Sequence, residues 1–253
     1  MARFGFTARA LVYMLVGALA AAAAFGAGGR ATDAHGAIRA MGRQPFGTLL
    51  LFVVGLGLAA YAAWRVLQAV LDLDGKGSDF EGLLARAGFV VSGLVHAGLA
   101  FSAFSLAIGL RHGRSFGVRA WTTRIMDEPF GRWMVGAAGL AVMGSGVYQF
   151  YKAWKYKFEE DLRVARMTAA ERRWARRVGR IGLGARGVTF GIIGWFLLHA
   201  ALDVDPREAR GMKGALRVLE RQDHGQWLLG AVALGLTAYG VLSLVDARFR
   251  KVT

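Results

Sequence analysis

"RFGFTARALVY", residues 3–13, sets two arginines against the start of a long apolar run. Two later stretches restate it: "RAGFVVSGLVH" at 86–96 and "RIGLGARGVTF" at 180–190. With Arg3, Arg86 and Arg180 in register, Gly5, Gly88 and Gly182 coincide, as do Leu11, Leu94 and Val188. A second signature opens the even-numbered apolar runs: "PFGTLL" at 45–50, "PFGRWM" at 129–134 and "HGQWLL" at 224–229. There Gly47, Gly131 and Gly225 align, and fourteen residues later stand Tyr61, Ser145 and Tyr239. Between the two signatures of each copy lies a short amphipathic stretch: "HGAIRAM" at 35–41, "RAWTTRIM" at 119–126 and "KGALRVLE" at 213–220. Self-similarity at a fixed period marks a repeat architecture. The unit is a long helix, a short interfacial helix and a second long helix, repeated over 2–75, 85–157 and 179–250. Residues 158–178 are read as a basic linker helix.

The long segments are membrane spans by composition. The chain has 253 residues, 55% hydrophobic, yet carries a formal net charge of +15. Both hold because the charges are segregated: 10–29, 44–64, 87–110, 133–151, 187–202 and 224–245 contain no Asp, Glu, Lys or Arg. A span takes about 20 apolar residues. Five of the six runs qualify directly, and 187–202 does so once extended back through 181–186. The first run exceeds the usual core of a cleaved leader, and the repeat requires it, so it is expected to be a retained helix. The expected fold is all-α: a polytopic membrane protein of six transmembrane helices. Two spans per unit return each copy to the same orientation, which predicts a pseudo-threefold ring about the membrane normal. The 36 glycines against three prolines suit close helix contact in lipid.

These motifs and the three-copy layout resemble the bacterial membrane family catalogued as domain of unknown function 1206, over essentially the whole chain. The resemblance implies a six-helix integral protein of the bacterial cytoplasmic membrane. It brings no catalytic or binding residues. The third copy departs from the pattern, with His224 where "PFG" has Pro, so its helix start is expected to be less sharply defined.

Lys and Arg favour the N-terminus, the connections between units and the C-terminus over the loops inside units. The positive-inside rule then places both termini in the cytoplasm. The stretch "MTAAERRWARR" at 167–177 carries a capping-box pattern, Thr168 with Glu171. Its Arg172, Arg173, Trp174, Arg176 and Arg177 form a candidate surface for anionic lipid headgroups. The basic excess is read as topology and lipid contact, not nucleic-acid binding. Protein partners and oligomeric state have no signature.

Ionisable residues inside apolar segments are functional candidates. Arg9 and Arg186 lie about 9 Å deeper than Arg3 and Arg180. Asp246, ending the last span on the same side, is the expected partner of Arg186. In the second unit Ser92 replaces the arginine and Lys152 aligns with Asp246. His96 falls near mid-depth, where the other copies have Tyr13 and Phe190, and reads as a neutral, hydrogen-bonded packing histidine. The chain has no cysteine, and His35, His96, His112, His199 and His224 show no metal-ligand spacing. Cofactors and enzymatic activity are not expected, since nucleotide, hydrolase and phosphate–metal motifs are missing. Two functional classes remain: a structural, lipid-interacting or regulatory membrane component, and permeation of a small solute or ion along the bundle axis.

Overall fold

The computed structural model describes residues 1–27, 31–110 and 117–251. Among them the chain forms nine α-helices: α1 (Ala2–Ala24), α2 (Ala34–Gly42), α3 (Gly47–Val70), α4 (Phe80–Ala107), α5 (Val118–Met126), α6 (Gly131–Trp154), α7 (Ala169–Leu202), α8 (Met212–Glu220) and α9 (Gly225–Phe249). Long, short, long recurs three times. The three amphipathic stretches are the short helices α2, α5 and α8. The basic stretch is not a separate linker helix, because α7 begins at Ala169 and runs on without a break. The Thr168 side chain accepts from the Glu171 backbone, and the Glu171 carboxylate accepts from Thr168 N–H. That cap starts a helix of 34 residues, and nothing in Ala175–Arg180 stops it.

The glycine anchors explain how each short helix turns into the next long one. Phe46, Phe130 and His224 adopt left-handed backbone, with φ of 60°, 62° and 60°. The glycine after each donates its N–H to the carbonyl three residues back, at 2.9, 2.9 and 2.8 Å. A Cβ at Gly47, Gly131 or Gly225 would strike the carbonyl end of the preceding short helix, at Gly42, Ile125 or Glu220. Glycine is therefore required by close approach. The third start is as sharply made as the others. His224 stands in the Phe place, and Asp223 in the Pro place, so the expected weakening does not occur.

Long helices pack antiparallel in the spatial order α6, α7, α9, α1, α3, α4. The broadest interfaces join the second helix of one repeat to the first helix of the next: α3 to α4, α6 to α7, and α9 to α1. Within repeats, α1 packs on α3 and α7 on α9, through one shared device. Gly5 lies against the Tyr61 backbone, and Gly182 against the Tyr239 backbone. At their second-repeat equivalent, Gly88, a Cβ would meet no atom of the described residues within 4 Å. Among the described residues α4 and α6 close no comparable interface. The row of long helices ends there on both sides.

Among the described residues, five helices are long and apolar enough to cross a membrane: α1, α3, α4, α7 and α9. The short fifth run is thus rescued by its extension within α7. The exception is α6, whose 24 residues extend about 36 Å. Glycines, Ser145, Tyr148 and Gln149 dilute its hydropathy. Outward faces are apolar: Leu56, Leu140 and Leu234, equivalent in the repeat, are 57%, 62% and 62% exposed. In water such a surface would drive association. Trp133, Trp154, Trp195 and Trp227 are exposed, whereas Trp64 is buried with Phe6 and Tyr61.

Candidate functional site

Helix α1 brings Arg9 into the interior, where its side chain is 5% exposed. Every edge of the guanidinium is used. Nη2 donates to Asp246 Oδ2 at 3.0 Å, Nη1 to the Tyr61 hydroxyl at 2.5 Å, and Nε to Ser243 Oγ at 3.2 Å. Three helices, α1, α3 and α9, are tied by one side chain. The rings of Phe6, Tyr61 and Tyr239 lie 4.9, 4.9 and 5.3 Å from its carbon. Such faces stabilise a cation shielded from water.

From Asp246 a network runs around the end of the bundle that carries both termini. Asp246 Oδ1 is 3.8 Å from Arg250 Nη1, and Arg250 Nη2 lies 3.6 Å from Asp74 and 3.7 Å from Asp161. Asp74 accepts from Gln68 Nε2 at 2.9 Å, and Gln68 Oε1 accepts from Arg65 at 3.0 Å. Arg65 Nε then donates to the Tyr61 hydroxyl at 2.7 Å, which closes the circuit on Arg9. Arg9 and Arg250 pair with aspartates 74, 161 and 246, and Arg65 reaches Asp74 through Gln68. Buried charges demand such pairing. Asp161 is also 3.6 Å from Lys152. Positions 68, 152 and 246, equivalent in the repeat, are therefore all engaged.

A strap covers this end. Residues 157–166 form two short 3₁₀ turns, Lys157–Asp161 and Val164–Arg166. Arg163 N–H donates to Phe249 O at 2.7 Å, and Lys251 N–H to Asp161 O at 2.9 Å. Phe158 packs over Gly179, and Leu162 is buried.

Arg186 does not pair with Asp246, contrary to the sequence-based expectation. Asp246 belongs to Arg9, whose helix packs on α9 along its length. Arg186 Nη1 instead donates to the Tyr239 hydroxyl. Its guanidinium carbon lies 4.7 Å from the Phe190 and Tyr239 ring centres and 5.9 Å from Tyr13. Among the described residues it has no carboxylate partner, and its buried Nε has no hydrogen bond. Arg9 with Tyr61 and Arg186 with Tyr239 are thus the same pair in two repeats. In the second repeat both members are serine, Ser92 and Ser145, and Ser145 Oγ bonds to its own helix at Ala141 O, 2.8 Å away.

His96 is buried, with Nδ1–H donating to Ser92 O at 2.7 Å and its ring 4.5 Å from the Tyr61 ring. His199 lies at the opposite end beside Trp195 and Asp203. His112 lies outside the described residues. The basic surface is smaller than the sequence suggests. Glu159 accepts from Arg172 at 2.9 Å and from Arg176 at 2.5 Å. Burial works to raise the Glu159 pKa, but the hydrogen bonds from Arg176 and Arg172 outweigh it and hold it below the ordinary value. Arg173 and Arg177 stay exposed without an ion pair among the described residues, beside Trp174, which is 66% exposed.

Tyr61, Arg65, Gln68, Asp74, Tyr239 and Arg250 were not singled out as site residues from the sequence. One signal was available for two of them: Tyr61 and Tyr239 share the register fourteen residues past the anchor glycine.

Three two-helix repeats, apolar outward faces and a charge network confined to one end have the build of a multi-pass helical membrane protein. The chain belongs to the family described as Domain of Unknown Function (DUF1206), whose model matches residues 4–72, 87–156 and 181–250. It is 35% identical over 251 residues to the uncharacterized protein YxxB of Bacillus subtilis (strain 168), covering 99% of this chain and 90% of that one. No solved structure matches.

Proposed function

We propose that this protein is a structural, lipid-interacting or regulatory component of the bacterial cytoplasmic membrane, without enzymatic activity. In this reading it has six spans, α6 included, around a pseudo-threefold axis along the membrane normal, with both termini cytoplasmic. Helices α2, α5 and α8 then lie at the periplasmic interface. The recurrence of the α3–α4, α6–α7 and α9–α1 packings supports the axis. The flanking position of α6, packed along α7, supports its counting as a span. Arg173, Trp174 and Arg177 would meet anionic headgroups.

The observation that carries the choice of class is the closed charge network beneath the 157–166 strap. Arg9 is buried and bonds both Tyr61 and Ser243, which joins α1, α3 and α9 at this end of the bundle. That arrangement is a clamp, and it favours a structural role over solute permeation. Proteoliposomes test this directly. Ion and small-solute flux should equal that of empty liposomes, while the melting temperature should rise with the fraction of acidic phospholipid. Flux that depends on Arg9 would establish permeation instead. Because the chain has no cysteine, single cysteines at 173 and 217 give topology. An impermeant maleimide applied to intact spheroplasts should label 217 and not 173.

A further inference from the structure

We propose that the opening between α4 and α6 seats one acidic phospholipid, its acyl chain along the two helices and its phosphate on Arg186. The inference rests on the lipid-interacting reading above and specifies its ligand.

The opening is visible residue by residue against the other repeats. Val95 is 56% exposed, while its equivalents Val12 and Thr189 are 2% and 0%. Tyr148 is 56% exposed, while Trp64 and Leu242 are 8% and 3%. Ser145 is exposed, where Tyr61 and Tyr239 are buried core. Two changes empty this side of the ring. Ser145 withdraws the aromatic ring that the other repeats send inward, and Ser92 withdraws the guanidinium. What is left is a slot of small and apolar groups, Gly88, Val91, Val95 and Ser145.

Arg186 supplies the charge. Arg9 is saturated, but among the described residues Arg186 has only Nη1 engaged, its buried Nε is unpartnered, and the residue as a whole is half-buried. It lies about 9 Å deeper than Arg180, within reach of a phosphate drawn slightly below the headgroup plane. A guanidinium binds phosphate oxygens by paired, charge-assisted hydrogen bonds. A second copy of the chain is the competing occupant, and it lacks the required charge. Neither 87–110 nor 131–154 contains Asp or Glu, so two such faces brought together leave Arg186 uncompensated. A lipid satisfies both the apolar slot and the cation.

The test is native mass spectrometry of the full chain from mild detergent, titrated with phosphatidylglycerol or phosphatidylcholine. Wild type should retain one phosphatidylglycerol with at least tenfold preference. Arg186→Met should lower the preference to that of non-specific lipid, and Arg186→Lys should fall between. Val95→Trp fills the slot on an exposed face and should expel the lipid with Arg186 intact, so it carries the test if Arg186 variants fail to fold. Binding by Arg186→Met or Val95→Trp equal to wild type overturns the seat. So does full competition by inorganic phosphate, which would make the site one for a free anion. A dimer that buries α4 and α6 overturns it as well. If acidic lipid still stabilises the Arg186→Met protein as it does wild type, the seat fails and the broader lipid-interacting reading stands. If acidic lipid never stabilises wild type, both fail.

Discussion

Replacing Asp246 with Asn leaves shape nearly intact and removes one charge. Its carboxylate is 13% exposed and sits 3.0 Å from Arg9, which is 5% exposed. Arg9 would keep Tyr61 and Ser243 but lose its counter-charge, and Arg250 would lose one of three carboxylates. Breaking one side of a buried ion pair costs about 3–5 kcal/mol, whereas replacing both partners by apolar groups is often near neutral. Asp246→Asn is therefore expected to destabilise by about 3 kcal/mol, near the lower end of that range because the amide still accepts one hydrogen bond. Arg9→Met and Asp246→Leu should each cost at least as much, and the two together should recover most of the loss. Reversible unfolding in mixed micelles, read by tryptophan fluorescence, supplies the four corners of a double-mutant cycle. The coupling should exceed roughly 1 kcal/mol for Arg9 with Asp246 and fall below about 0.5 kcal/mol for Arg186 with Asp246. Additive losses at 9 and 246, or a larger coupling at 186, would refute the pairing.

Glycine substitutions should expose the opened repeat: Gly5→Ala and Gly182→Ala press on tyrosine backbone and should each cost about 1–3 kcal/mol, while Gly88→Ala should leave the melting temperature unchanged or higher. His224→Gly should raise thermal stability by up to about 1 kcal/mol, since left-handed backbone costs a non-glycine residue roughly that much; a fall would assign the imidazole a contact worth more than the relief. Glu159→Gln should weaken the strap at neutral pH. Because the Glu159 pKa is held below the ordinary glutamate value of 4.5, its contribution is present above that value and lost as pH falls through the native one. The melting gap between wild type and Glu159→Gln should therefore close in acid, and a gap that widens on acidification would contradict the assignment.

Repeats, short helices and the candidate polar positions Arg9, His96 and Arg186 were legible because they rest on local spacing and on the segregation of charge from the apolar runs. The error at Asp246 has a physical source. A partner within the same repeat is the natural guess when copies are compared in register. The structure instead packs the last helix on the first, so Asp246 meets the arginine of the first repeat, at a separation of 237 residues. No local pattern carries that information. Arg65 and Gln68 were invisible for a related reason: at the end of a span, polar residues look like solvated termini until the strap covers them. The enclosure of Trp64 was likewise unreadable, since only the approach of Gly5 to Tyr61 brings α1 close enough to cover it.

The Arg9–Asp246 contact also sets a clock on biosynthesis. At about 5–20 residues per second, the ribosome needs roughly 10–50 s to pass from one residue to the other. During that interval the first helix is in the membrane with a guanidinium that has no counter-ion of its own. Phospholipid phosphate or an insertase must shield it, and the interfaces of α1 and α7 with α9 wait for the last span. A nascent chain stalled before Asp246 would present a bare cation and an uncovered glycine face to the quality-control proteases, so truncation near the C-terminus should shorten cellular lifetime far more than the few missing residues suggest.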